Sequence, residues 1–276
     1  MTLGYLGPTG TFTELAFKKF CTLNKLPEEG VQASSIWDLF ELFNQKKCDI
    51  IIVPIENSIE GSVSTTMDLI STIENIYIQQ EIVLPIKHCL FTKKKSALSE
   101  ITSVVSHPQA LSQCQHYLRQ HLSKAQAIPA SSTAKAAEFL GDYEAVIGST
   151  ELGKLYNLEL LAEGINDQKN NQTRFVAIGR TTTEPTGNDK TSIIISSIKD
   201  KPGGLVDMLR AFAKRNINLT RIESRPTRNV LGEYLFYIDC EGHEKDPLVL
   251  EALTEIKKEA SYFKKLGSYK KDTTHA

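Results

Sequence analysis

The chain has 276 residues, 41% of them hydrophobic, and a formal net charge of -1 at pH 7. This length suits two domains with real hydrophobic cores, and the charge balance gives no general attraction to nucleic acid. No apolar run approaches the roughly 18 residues of a membrane span, and the first residues lack the basic and apolar segments of a signal peptide.

The cysteines indicate the compartment. There are five, an odd number, and no two are spaced C-x-x-C, so the sequence predicts neither a disulfide framework nor a zinc cluster. They are Cys21, Cys48, Cys89, Cys114 and Cys240. We therefore expect a soluble protein of the reducing cytoplasm, with no metal, no membrane and no nucleic-acid partner.

The first 75 residues alternate between strand and helix signals. Thr11 and Glu14 have the spacing of a capping box at the start of a helix. Ser35 and Asp38 repeat that spacing at the start of a second helix. The β-branched run before Pro54 predicts a buried parallel strand. The predicted elements are a strand at 3–6, a helix at 11–26, a helix from residue 35 and a strand at 50–53.

The same alternation continues to residue 180. An apolar stretch at 76–91 predicts strands that cross into a second lobe, and the loop 164–171 returns the chain toward the first lobe. The other predicted strands lie at 103–106, 125–129, 145–148 and 174–179, and the helices start at 108, 131 and 149. Repeated strand–helix units predict parallel sheets covered by helices.

The pattern changes at 181–189, where turn-forming residues without periodicity predict a linker. The following segment, 190–268, carries the order β-α-β-β-α-β, which is typical of a ferredoxin-like domain. Its predicted strands lie at 192–197, 219–225, 233–240 and 262–266, and its helices at 202–215 and 247–258. Residues 269–276 are expected to form a tail.

The run Asn171-Gln172-Thr173-Arg174-Phe175 sets a neutral hydroxyl beside a permanent cation, where a polar loop enters an apolar strand. An arginine can hold a carboxylate through two hydrogen bonds, and a threonine can donate a hydrogen bond without supplying charge. A substrate with carboxylates and a hydroxyl would suit this pair. The structural alternative is a surface ion pair beside a threonine that caps a turn.

Four further polar loops follow predicted strands. In parallel α/β sheets ligands bind at this position, because helix N-termini present free N–H groups there. The loops are 7–11, 54–58, 106–109 and 131–133. Each loop alone is ordinary helix capping, but five such elements in two lobes favour a shared cleft. His88, within an apolar run, is predicted to be a hydrogen-bonded core residue.

Several chemistries lack the residues that they need. The glycines do not have the spacing of either nucleotide-binding loop, no His/Cys cluster suggests a metal, and no nucleophilic triad can be assembled. What remains is a set of hydroxyls, amides and one arginine. Such a site suits the binding of an anion and the departure of a leaving group.

Six segments, taken in order, resemble the signatures of one enzyme family. The segments 7–12, 54–58, 106–109 and 171–175 resemble the successive signatures of prephenate dehydratase. The segments Gly203-Gly204-Leu205-Val206 and Glu223-Ser224-Arg225-Pro226 resemble two signatures of the regulatory ACT domain of these enzymes. The resemblance covers nearly the whole chain.

This resemblance implies a two-lobed α/β catalytic domain of the type II periplasmic-binding-protein kind, with parallel-type sheets, followed by an ACT domain. The catalytic domain would span 1–180, with one lobe at about 1–75 plus 165–180 and the other at 76–164. The family converts prephenate into phenylpyruvate, without a cofactor, in the biosynthesis of phenylalanine. No chorismate mutase segment precedes Leu3, so a monofunctional enzyme is expected.

The resemblance also implies roles for individual residues. Thr173 would hydrogen-bond the leaving hydroxyl, Arg174 would hold a carboxylate, and Phe175 would pack the adjacent wall. The further substrate-binding residues would be Thr9, Thr11, Asn57, Ser58, Ser106, His107, Gln109 and Thr133. Because a threonine hydroxyl is a poor proton donor, a water molecule, Glu56 and His107 remain alternative proton sources.

The ACT domain would bind L-phenylalanine as a feedback inhibitor, at an interface between subunits. A homodimer or homotetramer would form through the ACT and catalytic domains. The expected residues are Gly203, Gly204, Leu205, Val206, Asn218, Glu223, Ser224, Arg225 and Pro226. Gly204 stands where the family commonly has alanine. Two alternatives stay open, namely arogenate dehydratase, which accepts the amino analogue of prephenate, and a non-catalytic cytosolic sensor of small carboxylates.

Overall fold

The structure is a computed structural model that describes residues 1–197, 202–227 and 232–273. The chain divides into two compact units. The first unit contains residues 1–48, 52–63 and 82–175, and the second contains residues 49–51, 64–81 and the chain from residue 176. The segment 64–81 thus groups with the C-terminal part of the chain, although both its neighbours in sequence belong to the first unit.

Strands and helices alternate in the first two thirds of the chain, as the sequence predicts. In chain order the elements are β1 Leu3–Leu6, α1 Phe12–Asn24, β2 Gly30–Ala33, α2 Ile36–Asn44, β3 Ile50–Asn57, β4 Gly61–Ser62, α3 Ser64–Thr72, β5 Tyr77–Pro85, β6 Cys89–Thr92, β7 Ser103–Ser106, α4 Pro108–Ser112, α5 Gln115–His121, β8 Gln126–Pro129, α6 Thr133–Glu138, β9 Glu144–Gly148, α7 Thr150–Leu155 and β10 Glu159–Ala162. They are followed by β11 Gln172–Gly179, β12 Asp189–Ser197, α8 Gly204–Ala213, β13 Leu219–Pro226, β14 Tyr234–Glu241, α9 Pro247–Glu259 and β15 Ala260–Lys270.

Side-chain caps start the helices where the sequence predicts them. Thr11 Oγ1 accepts a hydrogen bond from the amide of Glu14 (3.4 Å), at the start of α1. Ser35, Ser132 and Ser149 cap α2, α6 and α7 in the same way. Each cap satisfies an amide that the first turn of a helix leaves without a backbone partner.

One sheet of the first unit has the strand order β10-β6-β9-β7-β8. Strand β7 runs parallel to β8 and β9, whereas β6 runs antiparallel to β9 and β10. The sheet is therefore mixed, while the sequence predicts a parallel one. The antiparallel strands β6 and β10 are those that bring the chain into this lobe and lead it out again, without the helical crossover that parallel neighbours require.

Both faces of this sheet are buried, which explains its continuous apolar strands. In β6, Leu90 belongs to one hydrophobic cluster, while Cys89 and Phe91 belong to another. In β9, Ile147 joins the first cluster and Val146 joins the second. Successive side chains of a strand point to opposite faces, so a strand covered on both sides is apolar at every position.

The other strands of the first unit lie in the order β11-β3-β1-β2. Strands β1 and β2 are parallel, with Leu3 opposite Gly30, and β3 turns back into the two-residue strand β4. The sequence did not predict β2, because three of its four residues are exposed and carry no hydrophobic alternation. The carboxyl ends of β1 and β3 lead into polar segments in which site residues are expected, and the amino end of β11 carries the segment 171–175.

The second unit contains the elements β12 to β15 with α8 and α9, in the predicted β-α-β-β-α-β order. The strand order is β13-β14-β12-β15, and all these neighbours are antiparallel. Helices α8 and α9 cover one face of this sheet. Phe212 and Ile256 of the helices share a hydrophobic cluster with Ile195 and Ile238 of the strands. Strand β15 extends to Lys270 and so includes part of the expected tail, whose last three residues lie outside the described part of the chain.

Helix α3 packs against the other face of this sheet. Tyr237 alternates along β14 with residues that face α8 and α9, and its hydroxyl donates to the carbonyl oxygen of Met67 in α3 (3.0 Å). Arg225 pairs with Asp68 (2.8 Å), and Lys264 Nζ donates to the carbonyl oxygen of Ser71 (3.2 Å). Burial lowers the pKa of Lys264. These bonds explain why α3 groups with the second unit.

Candidate active site

A cavity of about 810 Å³ lies in the first unit, at the ends of β1, β3, β7, β8 and β11. Among the residues expected to bind substrate, those that line it are Thr11, Asn57, His107, Gln109, Thr133, Thr173 and Phe175. Polar residues that the sequence analysis did not assign to the site also line it, namely Gln32, His88, Gln113, Ser132 and Lys135. The cavity therefore brings together all five segments that the sequence singles out.

Besides Arg174, four other expected residues are not among the described lining residues. Thr9 Oγ1 accepts a hydrogen bond from Gln32 (2.7 Å). Ser58 Oγ accepts one from the amide of Gln172 (2.9 Å). Ser106 is fully buried and donates to the carbonyl oxygen of Ile147 (2.7 Å). In these positions the three hydroxyls connect neighbouring strands and loops. The fourth residue, Glu56, forms an ion pair that involves the strand β11.

That ion pair joins Glu56 to Arg174, with 3.6 Å between the closest charged atoms. Thr173 and Phe175 both line the cavity, and Arg174, which lies between them on β11, is not among the described lining residues. Successive side chains of a strand alternate between its faces. Arg174 consequently lies on the opposite face of β11 from the cavity. Glu56 shares its side of β3 with the lining residue Pro54 but is not itself among the described lining residues.

Asn57 fixes the orientation of Thr173. The turn after β3 directs the amides of Ile59 and Glu60 at Asn57 Oδ1 (3.0 and 3.1 Å), so this atom is the acceptor oxygen of the side chain. The other atom, Nδ2, must then donate, and it reaches Thr173 Oγ1 at 2.9 Å. Because the Thr173 oxygen accepts this bond, the hydroxyl proton is available to a ligand in the cavity.

His107 is fixed in a similar way. It precedes Pro108 at the start of α4, and its Nδ1 accepts a hydrogen bond from the amide of Gln109 (3.3 Å). In the neutral ring the proton is therefore on Nε2. His107 lines the cavity, so it offers a second proton donor beside Thr173.

The loops from the two lobes are also connected at the start of α1. The amide of Gly10 donates to Glu14 Oε2 (2.6 Å), and Ser149 Oγ donates to the carbonyl oxygen of Gly10 (3.2 Å). Gly10 has a φ of 88°, a left-handed conformation that a side chain disfavours. This fixed loop brings Thr11 and Phe12 to the cavity.

The charges around the cavity favour an anion. Lys135 is a lining residue, and no described lining residue is aspartate or glutamate. Burial raises the pKa of Cys114 to about 12, so this thiol is protonated and unsuited to nucleophilic attack. The described part of the chain contains no group of three or more His, Cys, Asp or Glu residues placed to hold a metal ion. The arrangement thus offers proton donors and one cation.

The structure separates the residues expected to bind an effector. Gly203 has a φ of 86° and precedes α8, whose exposed Val206 lies in the first turn. On β13, Glu223 and Arg225 share the face that packs against α3, where Arg225 also contacts Ser64 (3.3 Å). Ser224 and Pro226 alternate with them, and Asn218 precedes the strand. The expected residues of β13 therefore lie on two faces of that strand, while the other expected residues lie at the start of α8 and just before β13.

Within residues 1–197, 202–227 and 232–273, every helix is too short or too polar to cross a bilayer.

Two family models match the chain. The prephenate dehydratase model matches residues 3–183, and the ACT domain model matches residues 191–258. Each match covers one of the two regions that the sequence signatures indicate, and the boundary between them falls within or beside the predicted linker.

Relatives with these names align over almost the whole chain. A prephenate dehydratase of Methanocaldococcus jannaschii is 41% identical over 272 residues, which is 96% of this chain and 96% of the relative. A bifunctional chorismate mutase/prephenate dehydratase of Aquifex aeolicus is 40% identical over 98% of this chain and 73% of its own length. A solved structure of prephenate dehydratase from Arthrobacter aurescens, in complex with L-Phe, has a TM-score of 0.89 and 36% identity, covering 98% of this chain and 90% of that one.

Proposed function

The chain belongs to the prephenate dehydratase family, and on that premise we propose that it converts prephenate into phenylpyruvate, carbon dioxide and water. The observation that carries the proposal is the Thr173 hydroxyl. Asn57 holds its oxygen as an acceptor, which leaves its proton for the substrate. The cavity that it faces has a cation and no described carboxylate in its lining.

Prephenate has a ring carboxylate, a pyruvyl side chain with a second carboxylate, and a hydroxyl across the ring. In the reaction the bond to the ring carboxylate breaks and carbon dioxide leaves. That electron pair moves through the ring and expels the hydroxyl, which takes up a proton and leaves as water. The product ring is aromatic, and this gain drives the reaction without the electron sink that a cofactor would supply.

Thr173 assists the departure of the hydroxyl by donating a hydrogen bond to its oxygen. The bond that Thr173 accepts from Asn57 polarises its own O–H group, and chains of this kind strengthen one another. An unaided threonine hydroxyl is far from the pKa of an efficient general acid. Thr173 therefore stabilises the developing charge and does not itself lose its proton.

Of the two side chains considered as proton sources, we propose that His107 is the one that donates a hydrogen bond to the leaving hydroxyl. It lines the cavity with its proton on Nε2, whereas Glu56 pairs with Arg174 and is not among the described lining residues. Because Nδ1 of His107 accepts a hydrogen bond from the amide of Gln109, the ring donates as a neutral Nε2–H group, and the proton that completes the leaving water comes from solvent water. A His107→Leu variant with unchanged kcat would contradict this contact.

The two carboxylates bind to the polar part of the lining in this proposal. Lys135 supplies charge, and Thr11, Asn57, Gln109 and Thr133 supply hydrogen bonds, while Phe175 packs the ring. We propose indirect roles for the expected residues that are not among the described lining residues. Arg174 holds Glu56 and strand β11, and Thr9, Ser58 and Ser106 hold the loops that carry the lining residues.

We propose that catalysis belongs to residues up to the linker 181–189 and regulation to the ACT domain after it. The boundary between the two family matches supports this division. The similar structure from Arthrobacter aurescens holds L-Phe, which supports L-phenylalanine as the inhibitor of this chain too. Exposed apolar residues in the described part of the ACT domain, namely Val206, Ile222, Tyr234, Leu248 and Leu250, support a homodimer or homotetramer.

We further propose the cytoplasm as the compartment. All five cysteines are free and buried, which suits a reducing environment.

The test is direct. Purified protein is incubated with prephenate, and phenylpyruvate is followed by its absorbance, with and without L-phenylalanine. We expect turnover that L-phenylalanine inhibits. A parallel assay with arogenate, alone and in competition, separates the prephenate-specific enzyme from an arogenate dehydratase. Binding of prephenate without any product would instead indicate a carboxylate sensor and would contradict the enzymatic proposal.

A further inference from the structure

One nitrogen atom in the cavity lining, Nδ1 of His88, has no role in the proposed reaction. His88 is only 4% exposed, lines the cavity and contacts the ring of Phe12 edge to face (5.6 Å between centroids). Its Nε2 lies 3.1 Å from Gln113 Oε1. Its Nδ1 is buried and has no hydrogen-bond partner among the described residues. A buried polar atom without a partner costs free energy, so its persistence at a cavity wall suggests a ligand atom.

The direction of each hydrogen bond near His88 follows from backbone amides, which can only donate. The amides of Ile59 and Glu60 make Asn57 Oδ1 an acceptor, so Asn57 Nδ2 donates to Asn171 Oδ1 (2.8 Å). Asn171 Nδ2 is then the donor to Gln113 Oε1 (2.8 Å). Gln113 Nε2 in turn donates to Glu60 Oε1 (2.9 Å). The orientation of all three amide side chains is thereby determined.

This chain of bonds determines the tautomer of His88. Gln113 Oε1 is an oxygen and can only accept, so His88 Nε2 must carry a proton and donate it. Burial lowers the pKa of the His88 imidazole, which keeps the ring neutral. A neutral ring protonated at Nε2 has a lone pair at Nδ1. The unpartnered atom is therefore a hydrogen-bond acceptor that requires a donor.

The proposed substrate has only one such donor. The two carboxylates of prephenate are ionised at neutral pH and its ketone oxygen accepts, so the ring hydroxyl is its single hydrogen-bond donor. We propose that His88 contacts the substrate through Nδ1 and accepts the hydrogen bond of the ring hydroxyl. This inference rests on the proposed function and adds a residue to the same site.

Together, Thr173 and His88 would bind both atoms of the leaving hydroxyl, its oxygen and its hydrogen. Thr173 donates to the hydroxyl oxygen, and His88 Nδ1 accepts the hydroxyl hydrogen, which stays on the oxygen and departs in the water. No proton is transferred to His88. An analogue without the hydroxyl would leave Nδ1 without a partner, so this residue would select substrates that carry the hydroxyl.

Two substitutions separate this role from a structural one. Glutamine reaches the position of Nε2, so His88→Gln keeps a donor for Gln113 and removes the acceptor at Nδ1. Asparagine reaches the position of Nδ1, so His88→Asn keeps an acceptor there and removes the donor to Gln113. Contact with the substrate predicts that His88→Gln is the worse enzyme, whereas a role confined to the network predicts that His88→Asn is worse.

For His88→Gln we expect kcat/KM for prephenate to fall about tenfold to a hundredfold, the range for an unmade hydrogen bond to a buried group. We expect His88→Asn to stay nearer to the wild type, after both are normalised for folded protein by circular dichroism. Equal losses in the two variants, or the reverse order, would overturn the inference.

A binding measurement on the wild type provides a test that does not depend on the folding of variants. The probes are two saturated-ring analogues of prephenate, which cannot become aromatic, one with and one without the ring hydroxyl. Calorimetry should show about tenfold tighter binding of the hydroxylated analogue. In His88→Gln this preference should shrink, since only the bonds donated by Thr173 and His107 remain. A preference that is the same in both proteins contradicts the contact.

Wild-type turnover of prephenate is measured first, so that a failure of the proposed function can be distinguished from a failure of the His88 contact. No product from the wild type would refute the proposed function and this inference with it. Normal turnover together with an unchanged hydroxyl preference in His88→Gln would refute the role of His88 alone.

Discussion

Two regions of the molecule use buried polar side chains in different ways. Around the cavity of the first unit, side chains bond to side chains: Asn57 donates to Asn171, and both Asn171 and His88 donate to Gln113. In the second unit, the sheet holds helix α3 through a charged pair and through bonds to main-chain oxygens, as with Tyr237 and Met67.

The difference indicates what each region does. The cavity network has a proton to offer at Thr173 and an acceptor to fill at His88, so it is complete only when a ligand is bound. The bonds to α3 join groups of the protein to each other, from Met67 near the middle of the helix to Ser71 at its end. The first region is suited to chemistry, and the second is suited to holding one helix in place.

The largest loss of activity is expected at Thr173, and it tests whether the cavity network is the region that performs the chemistry. Thr173→Val keeps the shape of the side chain and removes the hydroxyl, so it should lower kcat about a hundredfold to a thousandfold, as for the loss of one transition-state donor. KM should change little, because the hydroxyl acts mainly on the departing group. Steady-state kinetics with prephenate measure both constants.

The matched control is Thr173→Ser, which keeps the donor and should retain most of the activity. A Thr173→Val enzyme with full turnover would show that the hydroxyl is structural.

The second effect is expected at Asn57. Asn57→Asp preserves the acceptor for the amides of Ile59 and Glu60, but it cannot donate to Thr173. The proton of Thr173 would then turn toward the introduced carboxylate and away from the substrate. We expect kcat to fall about thirtyfold to three-hundredfold, within the range for removing a charge-stabilising interaction. Steady-state kinetics with prephenate again provide the measurement.

Combining Asn57→Asp with Thr173→Val tests the dependence of one residue on the other. If Asn57 acts by orienting Thr173, the double variant should be hardly slower than Thr173→Val alone. Losses that multiply would show that the two residues act independently.

A smaller effect should separate regulation from catalysis. Asp68→Asn removes the charge that pairs with Arg225 at helix α3 (2.8 Å). If α3 carries the effect of L-phenylalanine, the concentration needed for half inhibition should rise roughly fivefold, which is a typical coupling free energy of about 1 kcal/mol. The rate without the inhibitor should remain near that of the wild type.

Glu255→Gln is the control for Asp68→Asn. It also removes a carboxylate from the ACT domain, but that carboxylate pairs with Lys214 and Arg215, just after α8 (3.0 and 2.8 Å). Its response to L-phenylalanine should be unchanged. The same shift in both variants would show a general loss of stability, with no specific role for α3.

Sequence patterns predicted most of the fold for identifiable reasons. The caps at Thr11 and Ser35, the apolar strand before Pro54 and the ferredoxin-like order all depend on neighbouring residues, and the structure confirms them. Strand β2 was missed because its exposed residues carry no hydrophobic signal. Helix α3 was missed too, and its grouping with the C-terminal sheet depends on contacts with residues such as Tyr237, far away in sequence.

The site was predictable only as a set of segments. The loops that meet at the cavity were identified, since they follow strands, but the side of β11 that faces the cavity depends on how the sheet is covered. Gln113 and His88 have no local motif. Their role becomes visible only when Asn171 and Asn57 are brought next to them in space.

The smallest effect is expected at Arg174, and it tests which cation binds the substrate. Arg174 pairs with Glu56 and is not among the described lining residues, whereas Lys135 is. Arg174→Lys keeps the charge beside Glu56 and changes no described lining residue, so KM for prephenate should change by less than about threefold. Lys135→Met should raise KM further, by roughly fivefold, because it removes a cation from the lining. If Arg174 instead held a carboxylate directly, Arg174→Lys would lose a two-bond contact that lysine cannot replace, and its KM would rise above that of Lys135→Met.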